Sequence, residues 1–215
     1  MPKTRILLVR HGESEGNVLG VFTGHSGYPL TENGHKQAKL TAEYIRKNYL
    51  VDAVYSSDLP RAYQTAEHIA RAFDLPVVTD CRFREILAAQ WELKPFSELG
   101  NLFPEAYAVW INDTANARCT GGESVMEVAE RAVEGIKAVA MTHPGQCVVI
   151  TAHATSIRAS LWKISNAPAE DFQKTNFGCN CAVSELEYDN GEFRIVNLNY
   201  TDHLQNCKTQ LPSNI

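Results

Sequence analysis

No apolar run in this chain approaches the roughly 18 residues that a membrane-spanning helix needs. The one candidate near the start, Ile6-Leu7-Leu8-Val9, is cut short by Arg10 and His11, so the opening Met-Pro-Lys-Thr-Arg does not read as a signal peptide either. An excess of one charge is lacking as well. With 25 acidic and 20 basic side chains the formal net charge is -5, which advertises neither nucleic acid nor an anionic membrane as a partner. Any anionic substrate must therefore meet a positive site that is built locally, against the overall sign. The six cysteines, at 81, 119, 147, 179, 181 and 207, contain no C-x-x-C pair. Cys179 and Cys181 form a C-x-C pair with no second pair to complete a metal site, and free thiols in a cytoplasmic protein are expected. Also missing are HExxH, GxxxxGK[ST] and any DxD-type carboxylate cluster, so the reading has no metal and no cofactor. Without repeats, low-complexity tracts or charge blocks there is no linker to find, and residues 1–215 are expected to form one domain.

What is present is an alternation of two periods. Strand-like apolar runs cover Arg5–Arg10, Val51–Ser56, Pro76–Asp80 and Gln146–Thr151. Between them lie helical patterns. Thr31 can cap a helix bearing Ala38, Ala42 and Ile45, and a second starts near Asp58 with Pro60 in its first turn, burying Ala62, Ala66, Ile69 and Phe73. Ser124 and Glu127 have capping-box spacing ahead of the stripe Val125, Val128, Ala129, Ala132, Ile136, Val139 and Ala140. A fourth helix is expected around Ser156–Ile164. Late in the chain, Asp189-Asn190-Gly191-Glu192 separates two strand patterns as a hairpin turn. The expected fold class is α/β, a three-layer αβα sandwich whose sheet is mostly parallel, with an antiparallel contribution from the hairpin. Ala88–Arg118 breaks the rhythm with Trp91, Phe96, Phe103, Tyr107 and Trp110 and no clean period. It reads either as a helical excursion packed on the body or as a lid over the site, since ligands of open α/β sheets gather at the carboxyl ends of the strands.

Three of the expected strands run into chemistry. The first exits at Arg10-His11-Gly12-Glu13-Ser14, the last parallel one at Thr151-Ala152-His153, and the second at Ser56-Ser57-Asp58-Leu59-Pro60-Arg61. Two histidines and two arginines thus reach one edge of the sheet. Guanidinium groups match phosphate oxygens bidentately and stay charged at working pH. A neutral imidazole is a competent nucleophile toward phosphorus when nearby cations keep it from binding a proton. Gly12 would let the backbone approach a ligand, and the helix after His153 would aim amides at an anion.

Arg10-His11-Gly12-Glu13-Ser14 resembles the RHG signature of the histidine phosphatase superfamily, the phosphoglycerate-mutase-like family. The remainder of the pattern follows in order: Thr23-Gly24, Pro29-Leu30-Thr31 with Gly34 and Gln37-Ala38, Ser57-Asp58-Leu59-Pro60-Arg61-Ala62 with Gln64-Thr65-Ala66, Gly121-Gly122-Glu123-Ser124, and His153 with Ile157-Arg158. The resemblance spans about Ile6 to Val196. It implies that His11 accepts a phosphoryl group and that Arg10, Arg61 and His153 form the phosphate pocket, joined by Asn17, Thr23, Gly24 and Ala154. It also implies that Glu85 is the general acid and base. The partner implied is a small phosphorylated metabolite, bound by a monomer or homodimer, with no nucleic acid and no membrane. The expected activity is metal-independent hydrolysis of phosphate monoesters. The alternatives are mutase-type transfer and a non-catalytic phosphate-binding module. The family's mutases carry a basic insertion with paired arginines where this chain reads Glu92-Leu93-Lys94-Pro95, which favours hydrolysis. Three departures stand out: Gly27-Tyr28-Pro29 lacks the aspartate common there, Ala154 replaces a glycine, and Ala89-Gln90-Trp91-Glu92-Leu93 lacks both glycines of Gly-x-Trp-Glu-Gly. Of the other histidines, His25 is expected to be a solvated loop residue near the site, and His35, His68, His143 and His203 to lie on helix surfaces or in turns.

Overall fold

The computed structural model describes residues 2–176 and 178–209. Strand β1 (Thr4–Arg10) has Ile6 and Leu8 in one hydrophobic cluster and Leu7 and Val9 in another, so consecutive side chains leave opposite faces of the sheet into cores. That two-sided burial is why the strand reads as an unbroken apolar run rather than an alternation. Strand β4 (Cys147–Ala152) does the same: Val148, Ile150 and Ala152 face one way, Cys147 and Val149 the other. With β2 (Ala53–Ser56), β3 (Val77–Thr79), β5 (Val183–Asp189) and β6 (Glu192–Tyr200) they form one sheet in the order β3-β2-β4-β1-β5-β6. The first four strands of that order are parallel, and β5 and β6 add antiparallel pairs. The β5–β6 turn sets Asn190 and Gly191 both at positive φ, as a two-residue hairpin requires.

Two helices cover one face, α2 (Glu32–Asn48) and α3 (Pro60–Phe73), and two the other, α6 (Val125–Thr142) and α7 (Ala154–Ile164). Their starts obey local chemistry. The Thr31 hydroxyl accepts from the Gly34 amide, Ser124 and Glu127 close a capping box, and Pro60 occupies the first turn of α3, where a missing N–H costs nothing. The start of α3 falls two residues later than Asp58, whose carboxylate is instead paired with Arg84. Short helices α1 (Glu15–Leu19), α4 (Phe96–Leu102) and α5 (Pro104–Asn112) lie in the loops beyond the strand ends. A third core sits beneath α4 and α5, where Phe22, Trp91, Leu99, Val125, Ala159 and Phe172 are buried together. Fully burying a large apolar side chain contributes about 1.5–3 kcal/mol, so this cluster is a core in its own right. Among the described residues no helix is long and apolar enough to cross a membrane.

Candidate active site

The order β2-β4-β1 puts the three chemistry-bearing strand ends side by side. The His11 amide donates to the Ala152 carbonyl and the Ser57 amide to the Thr151 carbonyl, so each exit is tied to β4 by a backbone bond. Behind β1, the turn 178–182 holds the same exit. Cys181 N–H donates to the Arg10 and His11 carbonyls, and Asn180 Nδ2 donates to the His11 carbonyl. Cys181 sits at φ 60° in that turn and Cys179 beside it, which accounts for the C-x-C pair as backbone support. All six cysteines are free thiols. Gly12 meets a different demand from the one its position suggests: a Cβ there would lie 2.6 Å from the Gly34 carbonyl oxygen, so the glycine admits the start of α2.

His11 is buried, and its Nδ1 stands 2.7 Å from the Gly12 carbonyl oxygen. A carbonyl only accepts, so Nδ1 carries the hydrogen and the neutral ring keeps its lone pair on Nε2. Burial first, then the charges of Arg61 and Arg10, hold the His11 pKa well below the ordinary 6.5. His153 lies with its ring centroid 5.2 Å from that of His11 and is fully buried. Its Nε2 is 2.9 Å from Ser57 Oγ, which also accepts the Leu59 amide. The hydroxyl is then free to donate to Nε2, which leaves the hydrogen on Nδ1, a buried atom with no acceptor among the described residues. Burial and Arg61 push the His153 pKa down as well.

Arg61 is fully buried at the start of α3, and its Nη atoms donate to the Ser26 and Gly24 carbonyls. Arg10 Nη1 donates to the Gly178 carbonyl at 2.6 Å. Burial pulls Arg61 down to about 10, still cationic at neutral pH, and lowers Arg10. Arg10 Nε, Arg61 Nε and His153 Nδ1 are all buried without an acceptor. Buried donors left without an acceptor are costly, and two of the three belong to cations, a set whose chemistry suits an anion.

Arg10 and His11 of this cluster line a cavity of about 220 Å³, whereas Arg61 and His153 are not among its lining residues. Asn17, Thr23, Glu85 and Ala154 line it as well. Asn17 Oδ1 accepts from Ser14 and Asn180, which fixes the flip of its amide. Glu85 is buried; its Oε1 accepts the Ile86 amide and its Oε2 the Thr155 amide in the first turn of α7. One of the amides expected to face an anion is therefore turned to Glu85, while Ala154, with a negative φ, keeps its place on the wall. Gly24, at φ 47°, stands behind the wall with its carbonyl on Arg61. The outer wall is aromatic: Phe22 meets Phe96 and Trp110 at 5.3 Å each, and Tyr107 lies beside them. Within 88–118, Trp91 is part of the core while Phe96, Tyr107 and Trp110 line the cavity.

Sequence reasoning missed Ser57, Asn180, Thr65 and Arg131. Thr65 Oγ1 accepts the Gly12 amide, and Arg131 donates to the Glu85 carbonyl. Ser57 and Thr65 lie within the quoted motifs but carried no role there, and nothing in the sequence signalled Asn180 or Arg131. His25 is no solvated loop residue: its Nε2–H donates to the Glu85 carbonyl at 2.8 Å.

The carboxyl edge of the parallel part of the sheet thus brings together two buried imidazoles, two guanidinium groups and a carboxylate. Residues 6–201 match the model of the histidine phosphatase superfamily (branch 1). The chain is 34% identical over 201 residues to phosphoserine phosphatase 1 of Hydrogenobacter thermophilus, covering 93% of this chain and 94% of that one. Among solved structures, Bacillus stearothermophilus YhfR superposes with a TM-score of 0.89 at 26% identity, covering 94% of this chain and all of that one. The phosphoserine phosphatase of Entamoeba histolytica, in complex with 3-phosphoglyceric acid, does so with a TM-score of 0.82 at 27% identity, covering 94% and 99%. This chain belongs to the histidine phosphatase superfamily.

Proposed function

We propose that the protein hydrolyses small phosphate monoesters in two steps through a phosphohistidine on His11. The observation that carries this is the pairing of a neutral, Nδ1-anchored imidazole with three buried donors that have no acceptor among the described residues. His11 Nε2 attacks phosphorus in line as the bond to the leaving oxygen breaks, and Glu85 gives that oxygen its proton. The resulting Glu85 carboxylate then takes a proton from water, whose oxygen attacks phosphorus. The P–N bond breaks, its electron pair returns to Nε2, and inorganic phosphate departs. Arg10 Nε, Arg61 Nε and His153 Nδ1 meet the equatorial oxygens, where charge grows in the transition state. Asn17, Thr23, Gly24 and Ala154 complete the phosphate pocket, and α4 with α5 is the lid of a single domain.

Charge at the cavity wall bears on the leaving group. Among the described lining residues Glu85 is the only carboxylate, against the cations Arg10 and Arg158. An ammonium on the substrate would find no counter-charge other than the acid itself, so neutral and anionic leaving groups are favoured over amino acids. Activity on a panel of hydroxy-acid, sugar and amino-acid phosphates tests the preference, and phosphoserine as the best substrate would overturn it. For the mechanism, rapid quench with labelled p-nitrophenyl phosphate should trap acid-labile, base-stable phosphate that His11→Ala abolishes. Label on a serine or aspartate would move the nucleophile elsewhere.

A further inference from the structure

We propose that Arg131, locked by Glu123, is the positioning residue that holds the general acid Glu85 at the leaving oxygen; this rests on the acid role given to Glu85 above. Arg131 projects from the second turn of α6 and is not among the residues that line the cavity. Its guanidinium forks onto both carboxylate oxygens of Glu123 at 2.8 Å. The remaining donors all go to one short segment: Nη1 to the Arg82 and Arg84 carbonyls at 2.8 and 2.7 Å, and Nη2 to the Glu85 carbonyl at 2.8 Å. Glu123 continues the clamp, accepting the Leu87 amide at Oε2 and donating its own amide to the Leu87 carbonyl. A single ion pair therefore binds the backbone of residues 82, 84, 85 and 87, the stretch that carries the acid.

That segment has no regular structure of its own beyond a 3-10 turn at Cys81–Phe83, so no helix or strand fixes the course of its main chain at Glu85. The clamp grips its main chain from outside, while the carboxylate is steered from inside by the Ile86 and Thr155 amides. The planar fork of an arginine suits four carbonyl and carboxylate acceptors in fixed directions, which a lysine ammonium does not reproduce. His25 is a second donor to the same Glu85 carbonyl, from the loop whose Gly24 and Ser26 carbonyls hold Arg61. Acid and phosphate-binding arginine are in this way referenced to one frame.

Loss of the clamp should loosen the acid. It leaves every hydrogen bond of His11, Arg10, Arg61 and His153 in place and removes only one of the lesser charges that hold the His153 pKa down. A misplacement of about 1 Å from a remote change can cost about 10²-fold. Arg131→Gln should therefore slow single-turnover phosphoryl transfer from an alkyl phosphate by about that factor. Transfer from p-nitrophenyl phosphate, whose phenolate leaves unprotonated, should change little. Arg131→Lys should fall between wild type and Arg131→Gln. Glu85→Gln run alongside separates the two ideas. If Glu85→Gln itself lacks leaving-group dependence, the acid is misassigned; if Glu85→Gln has it and Arg131→Gln does not, the clamp idea is overturned. The double variant should be no slower on the alkyl phosphate than Glu85→Gln alone, and additive losses would also overturn it. Should Arg131→Gln fail to fold, Glu123→Gln, which keeps the side chain's size and one carbonyl oxygen, carries the same comparison.

Discussion

Residues 89 and 93 show how local conformation outlasts the residue suited to it. Ala89 and Leu93 stand where the family resemblance leads one to expect glycine, and both adopt positive φ, 47° and 65°. A non-glycine side chain in that region costs roughly 1–2 kcal/mol, and these two sit in the loop that supports the cavity wall. Leu93 is 54% exposed, and its backbone amide donates to the Phe22 carbonyl, a bond that any residue would keep. Leu93→Gly should then stabilise the protein by about 1 kcal/mol, partly offset by the greater freedom of glycine in the unfolded chain. In a domain of this size that is a rise in Tm of about 2–4 °C, readable by calorimetry. No gain, or a loss, would mean that Leu93 makes a contact worth more than the strain.

At the scale of elements, α5 differs from the helices that cover the sheet. α6 buries eight of its residues, whereas α5 buries none, although Tyr107 and Trp110 face the cavity from it. Low burial means low local stability, the property a moving cover needs. Amide exchange in Pro104–Asn112 should accordingly be faster than in α6, and should slow when orthovanadate occupies the phosphate site. Equal protection with and without vanadate would make the segment a fixed wall. The cap of α6, by contrast, belongs to the body. Ser124 and Glu127 close it, and Gly122 just ahead of it lies so near the Leu87 carbonyl that a Cβ would stand 2.0 Å from that oxygen. Any side chain at 122 would push residue 87, and with it the Glu85 segment.

For the whole molecule, acid stability follows from the buried histidines. His11 and His153 have pKa values well below 6.5, and burial pushes His203, stacked on Tyr44, down to about 4. Unfolded, each takes a proton near pH 6.5. Below that pH the unfolded state therefore binds more protons than the native one, and stability falls as pH drops from about 6.5 through about 4. Thermal unfolding between pH 7 and 5 isolates this effect from the carboxylates, which titrate lower. His203→Phe, which keeps a ring against Tyr44, should flatten the slope. An unchanged slope would place the acid sensitivity elsewhere.

Much of this protein is decided by sequence alone. Ile6–Val9 and Val148–Ile150 could only be strands buried on both faces, because a continuous apolar run of that length leaves no side for water. Thr31, Pro60 and Ser124 mark helix starts because capping is chemistry among residues a few positions apart. The gathering of Arg10, His11, Arg61 and His153 was legible for a related reason: each follows a strand, and parallel strands deliver their carboxyl ends to one edge. Tertiary structure alone decided the rest. Arg131 reaches Glu85 across 46 positions, Ser57 reaches His153 across 96, and Asn180 reaches His11 across 169. No period or spacing encodes such pairs, because contacts at that separation depend on where the intervening chain packs. Gly12 is the plainest instance. Its motif suggests a ligand, and only the folded chain shows the Gly34 carbonyl occupying the space that a side chain would need.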